Sequence, residues 1–147
     1  MTTAVLARLY KRDIEKLINE LNLFNYEENL WKTTGSINNS CGNLTLHMIG
    51  GLNFHIGVTL AKIDFSRNRD QEFIKKGISR KSLTDQLNAL ISLTVDTITS
   101  MSDEQLSGPH PKLYDGERET ISYVLTQILL HLNYHLGQVN YLRRTLE

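Results

Sequence analysis

Two histidines, His131 and His135, stand one helical turn apart in the run TISYVLTQILLHLNYHLGQVNYLRRTLE. On a helix such an i, i+4 pair lies about 5 to 6 Å apart at Cβ. Two neutral imidazoles at that spacing can share one divalent ion, and zinc, nickel and iron accept nitrogen ligands. Val124, Ile128, His131, His135, Gln138 and Leu142 follow one another at intervals of four, three, four, three and four, the stripe a bundle helix turns toward its partners. Both imidazoles are therefore expected to point inward. A histidine on an apolar face is more often a hydrogen-bonded core residue than a ligand, so a third ligand is needed to favour a metal. The best candidate is His47, in the apolar run CGNLTLHMIGGLNFHIGVTLAKI, which also holds His55. Eight residues separate those two, roughly 80° around an ideal helix axis, so they are not expected to serve one site equally. If the two helices run antiparallel, His47 meets the pair near one end of a bundle, and His55 lies two turns deeper or toward the surface. Leu132, Asn133 and Tyr134 stand between the paired histidines, so the glutamate base of an H-E-x-x-H protease is absent.

The segment Asn43-Leu44-Thr45-Leu46-His47 is followed at long range by His131-Leu132-Asn133-Tyr134-His135-Leu136-Gly137-Gln138 and then by Tyr141-Leu142-Arg143-Arg144. This order, spanning nearly the whole chain, resembles the DinB-like superfamily of small helical bundles, which includes YfiT-like hydrolases and metal-dependent thiol S-transferases. The resemblance implies an all-α, up-down-down-up four-helix bundle with a metal held by His47, His131 and His135. Leu136 departs from it, since many relatives carry a polar or charged residue there, and His55 has no role in the pattern. The implied cofactor is a divalent transition metal (zinc, nickel, iron or manganese), with a low-molecular-weight thiol as a second candidate. Three imidazoles leave at least one coordination position open, as in catalytic sites. Such an ion lowers the pKa of bound water to around 7 or binds a thiol as thiolate, which gives hydrolysis or thiol transfer on a small-molecule substrate. Gln138 either orients that ligand or hydrogen-bonds a histidine. No general base is evident near the triad.

Four amphipathic stretches must position these residues. The first runs from about Thr3 to Leu21, with Val5, Leu6, Leu9, Ile14, Leu17, Ile18 and Leu21 on its apolar face. The polar stretch YEENLWKTTGSINNSCGN follows, with Ser40 or Asn43 as cap of the second helix. Trp31 within it is expected to anchor the loop, or else to close over a pocket. Gly50, Gly51 and Gly57 each cost up to about 1 kcal/mol in a helix interior, so they serve close packing or leave room beside His47. The third helix spans about Leu83 to Met101, with Leu83, Leu87, Leu90, Ile91, Thr94 and Ile98 inward. About twenty residues, IDFSRNRDQEFIKKGISRKS, separate the second and third helices, far more than antiparallel neighbours need, and allow the two to run parallel. The loop from Ser102 to Glu119 holds Pro109 and Pro111 around His110, read as an exposed histidine on a segment that can cover the site.

The 147 residues suit one domain, residues 1–147, with a sizeable core. Sixteen basic and sixteen acidic residues cancel, so charge offers nothing toward nucleic acid or an anionic membrane. The sequence shows no signal-peptide core and no apolar stretch long enough to span a membrane, which points to the cytosol. The single Cys41 excludes an internal disulfide; just before a helix, it is a buried thiol sooner than a nucleophile. Apolar residues on the outside of the first helix suggest a homodimer. A reading of a different class competes with the enzyme: a dimeric interaction protein whose histidines hold a structural metal or only hydrogen-bond.

Overall fold

Side-chain oxygens start every long helix of the computed structural model, which describes residues 1–147. Thr2 accepts from Val5 N at α1 (Thr3–Asn22), Ser40 from Asn43 N at α2 (Cys41–Leu52), Ser79 from Ser82 N at α4 (Arg80–Thr99) and Thr120 from Tyr123 N at α6 (Ile121–Leu146). Each cap satisfies a backbone N–H that has no partner inside its helix. Three short helices join them: a 3-10 turn (Glu27–Trp31) after α1, α3 (Arg69–Ile74) within the long crossover, and α5 (Asp103–Leu106), opened by a capping box between Ser102 and Gln105.

Contacts between helix ends set the directions. Arg80, at the start of α4, donates to Phe24 O beyond the end of α1, and Thr3 N donates to Asp103 Oδ1 just past α4, so α1 and α4 are antiparallel. Glu20 accepts from Asn140 and Arg143, and Glu147 accepts from Asn25, Tyr26 and Asn29, so α1 and α6 run parallel. Cys41 Sγ, at the start of α2, reaches Val139 O near the end of α6, so those two are antiparallel. The bundle is therefore up-down-down-up, and the long crossover carries the chain between the parallel α2 and α4. No helix is long and apolar enough to cross a membrane.

The apolar faces of α1 and α4 lie where their periodicity puts them: Leu6, Ile14, Leu17 and Leu21 are buried, as are Leu83, Leu87, Leu90, Thr94 and Ile98. Val5 is the exception on α1 and stands partly exposed. On α6 the buried stripe is Val124, Leu125, Ile128, Leu129, Leu132, Leu136, Val139 and Leu142. The expected stripe was out of phase in its second half. Leu132, Leu136 and Val139 fill the core, which leaves His131 exposed and His135 half-buried on the shoulder of the helix. Helix α2 is buried on every side from Cys41 to Gly50 because α6, α4 and the crossover helix α3 all cover it.

Beyond Leu52 the second helix widens into a π-helical segment, Asn53–Val58. Each residue there turns less than the 100° of an α-helix, so the 80° offset expected between His47 and His55 does not apply. The segment before α6 is a small hairpin, with His110 N donating to Glu119 O and Tyr114 and Glu117 exchanging both backbone bonds. Its two central residues, Asp115 and Gly116, have φ of 49° and 82°, the left-handed pair that a type I′ turn requires.

Candidate metal centre

His47 enters the site from the buried face of α2, and His131 and His135 enter from α6. His47 Nε2 lies 2.9 Å from His131 Nε2, and His135 Nε2 lies 3.1 Å from that same atom. One nitrogen from each ring falls within 4.8 Å of the others. Two ligand nitrogens at 2.0 to 2.1 Å from a tetrahedral zinc ion would stand about 3.3 Å apart, close to the two spacings that His131 makes with His47 and His135, so the cluster is compatible with a metal.

The outer hydrogen bonds sharpen the fit. His47 Nδ1 faces Glu72 Oε1 at 3.1 Å, and His135 Nδ1 faces Gln138 Oε1 at 2.6 Å. A carboxylate oxygen and an amide oxygen only accept, which favours a proton on Nδ1 and a bare Nε2 lone pair inward on both rings, against the longer approach of Arg67 Nη2 to His47 Nδ1 at 3.4 Å. His131 Nε2 has one proton at most and cannot satisfy both neighbours. A cation among the three nitrogens resolves the facing lone pairs. Burial lowers the pKa of all three histidines, that of His131 to about 4, which keeps them in the neutral form that binds metal.

Glu72, from the crossover helix α3, escaped the reading of the sequence. Its buried carboxylate takes two bonds from Arg67, Nε to Oε2 and Nη2 to Oε1, each 2.9 Å, and holds His47 with the same Oε1. This is the carboxylate–histidine arrangement that orients metal ligands. Gly50 makes it possible: a Cβ there would lie 1.8 Å from Glu72 Oε2. The space over Gly50 is thus taken by a carboxylate, whereas Gly51 borders open space beside His47. Gly57 serves packing, against Ile63 and Leu93. Asn43 does not cap α2; its Nδ2 donates to Glu72 O at 3.0 Å and Lys75 O at 2.7 Å and ties α3 to α2.

A cavity of about 260 Å³ opens beside the triad, walled by His47, His55, Arg67, Arg69, Tyr114 and His131 over a floor of Met48, Leu52, Ile128 and Leu132. His55 therefore shares the cavity with His47. The hairpin covers one side through Leu113, Tyr114 and Asp115. His110, expected at the surface, is buried: Nδ1 lies 2.8 Å from Lys112 O and Nε2 3.4 Å from Thr59 Oγ1, which fastens the hairpin to the end of the second helix. Trp31 anchors its loop against Gly42, away from the cavity. Cys41 is fully buried, and burial pushes its thiol up to about 12, so it packs and does not act as a nucleophile.

The fold is shared with solved structures of low sequence identity. A DinB-like protein from Bacillus cereus superposes with a TM-score of 0.77 at 17% identity, covering 98% of this chain and 92% of its own. A conserved protein from Enterococcus faecalis gives a TM-score of 0.73 at 20% identity, covering 97% and 95%. No curated protein matches the chain. A family model described as "Protein of unknown function (DUF1572)" matches residues 3–147, so the chain belongs to that family, and it carries that family's sequence on a DinB-like fold.

Proposed function

We propose that this protein is a metal-dependent enzyme acting on a small molecule, as a thiol S-transferase or a hydrolase of the YfiT-like kind. His47, His131 and His135 hold one divalent transition ion: zinc, nickel, iron or manganese. The observation that carries this reading is the pair of inward lone pairs imposed by Glu72 and Gln138 on either side of His131. Bound there, an ion supplies hydroxide near neutral pH or holds a thiol as thiolate. The chain's own side chains do the rest. Glu72 and Gln138 hold two of the rings, the apolar floor backs the cavity, and Tyr114 on the hairpin borders the space where the substrate sits. The protein is proposed to work in the cytoplasm.

Metal analysis of tag-free protein by plasma mass spectrometry tests this. About one equivalent of a transition metal is expected in wild type and none in His131→Ala. A wild type that stays empty after reconstitution with zinc, nickel, manganese and iron overturns the reading.

One observation favours the second reading, a dimeric interaction protein. Tyr123, Leu130, Tyr134 and Tyr141 stand exposed on one stripe of α6, with Gly137 open between them. The homodimer is accordingly proposed on α6, in place of α1.

A further inference from the structure

We propose that the cavity beside the three histidines recognises a carboxylate of the small molecule, bound by the guanidinium groups of Arg67 and Arg69. The inference rests on the enzymatic reading above and adds the substrate's chemical class. Arg67 is clamped along one edge: Nε and Nη2 both donate to Glu72, and Nη1 meets no protein acceptor. It lies over Gly51, where a Cβ would stand 3.7 Å from Nη2, so the missing side chain leaves the guanidinium open to the cavity. Arg69 lines the same wall with no carboxylate partner and rests over the Phe73 ring at 5.4 Å.

The remaining polar groups agree. Neither the His55 ring nitrogens nor the Tyr114 hydroxyl have a hydrogen-bond partner in the protein, and their rings meet edge to face at 5.8 Å on the cavity wall. Burial lowers the His55 pKa to about 4, so its ring is neutral and carries one N–H donor. Unengaged donors thus outnumber acceptors, and Asp115 is the one carboxylate lining the cavity. Glu72 offsets Arg67 and Asp115 offsets Arg69, so a dication at the histidines leaves the wall net positive. An arginine fork held by its far edge matches a planar, two-oxygen group. The larger groove on the other side of His135, about 600 Å³, is lined by Ile37, Tyr134 and Tyr141 and holds no arginine or lysine. That places the anion in the smaller cavity.

The test compares 3-mercaptopropionate with 3-mercaptopropanol, which differ in the carboxylate alone, by calorimetry on zinc-loaded protein. The carboxylate thiol is expected to bind about tenfold tighter, as charge-assisted bonds to arginine allow. That preference should vanish in Arg69→Ala and in Arg67→Gln, while the neutral thiol binds wild type and Arg69→Ala alike. Equal binding of the two thiols to wild type overturns the proposal, as does a preference that survives both substitutions, because the metal would then be chelating the carboxylate. Should the protein bind no metal, the enzymatic reading fails, and carboxylate recognition is decided separately in metal-free protein. Benzoate is then expected to shift the Arg67 Nε–H resonance in wild type and not in Arg69→Ala. The absence of that shift overturns the proposal.

Discussion

Gly50 and Gly51 are neighbours on α2, yet replacing each by alanine should move stability in opposite directions. In a helix interior the change from glycine gains about 1 kcal/mol. At Gly51 the new Cβ meets only Arg67 Nη2 at 3.7 Å, an ordinary contact, so the gain stands. At Gly50 the new Cβ lies 1.8 Å from Glu72 Oε2 and 2.6 Å from its Cδ. The carboxylate ends a rotatable side chain and swings aside, but in doing so it gives up both bonds from Arg67 and the one from His47. Bonds to charged groups contribute about 1.5 to 3 kcal/mol each. Arg67 regains part of that loss from solvent in the cavity, so about 3 kcal/mol is lost, and helix propensity returns about 1. For a chain of this size 1 kcal/mol shifts Tm by roughly 3 °C. Calorimetry on metal-free protein should therefore show Gly51→Ala about 3 °C above wild type and Gly50→Ala about 6 °C below it. The decisive arm is Glu72→Ala: with the carboxylate gone, Gly50→Ala should become stabilising, a coupling of about 3 kcal/mol between the two positions. If Gly50→Ala costs the same with and without Glu72, the glycine is not there for the carboxylate and the argument fails.

Glu72 should also govern the metal: Glu72→Ala is expected to weaken zinc binding about tenfold or more in chelator competition, and Glu72→Gln, which keeps an acceptor oxygen for His47, should recover part of it; unchanged affinity in both would remove Glu72 from the site. Acid should destabilise the metal-free protein, because the unfolded chain protonates His55 and His131 near the usual 6.5 while the folded chain holds both at about 4. Their contribution is thus full above about pH 6.5 and is lost as pH falls toward 4; urea unfolding across that window checks it, and a flat profile would contradict the desolvation and neighbouring positive charge that lower both groups.

The histidine pair was legible because i, i+4 spacing is a local property of one helix, and His47 because an imidazole early in an apolar helix stands out. Two kinds of residue were not. Glu72 and Arg67 sit in a crossover whose charges read as a solvated linker, and only the docking of α3 over Gly50 turns them inward. The Asn68 cap and the short run DQEFI were the available signals. His55 was legible only in part: it stays outside the triad, as its expected offset from His47 implied, but the π-helical turn leaves it lining the same cavity. The Asp115-Gly116 pair likewise marks a type I′ hairpin, and reading it would have given Tyr114 a place beside the site.

That division bears on how the centre is built. His131 and His135 need only α6 to stand together, so their spacing survives any loosening elsewhere. His47 depends on α2 packing antiparallel to α6, and its ring orientation depends further on α3, through Glu72. Asn43 couples those two requirements: with one amide it bonds Glu72 O and Lys75 O, so the residue that latches the crossover lies one turn before the ligand the crossover orients. A crossover that undocked would take Glu72 from His47 and expose Arg67 in the same motion. The lone pair of the proposed third ligand and the arginine edge facing the cavity are therefore both positioned by one contact, between α2 and α3, so the proposed metal capture and anion recognition should rise and fall together.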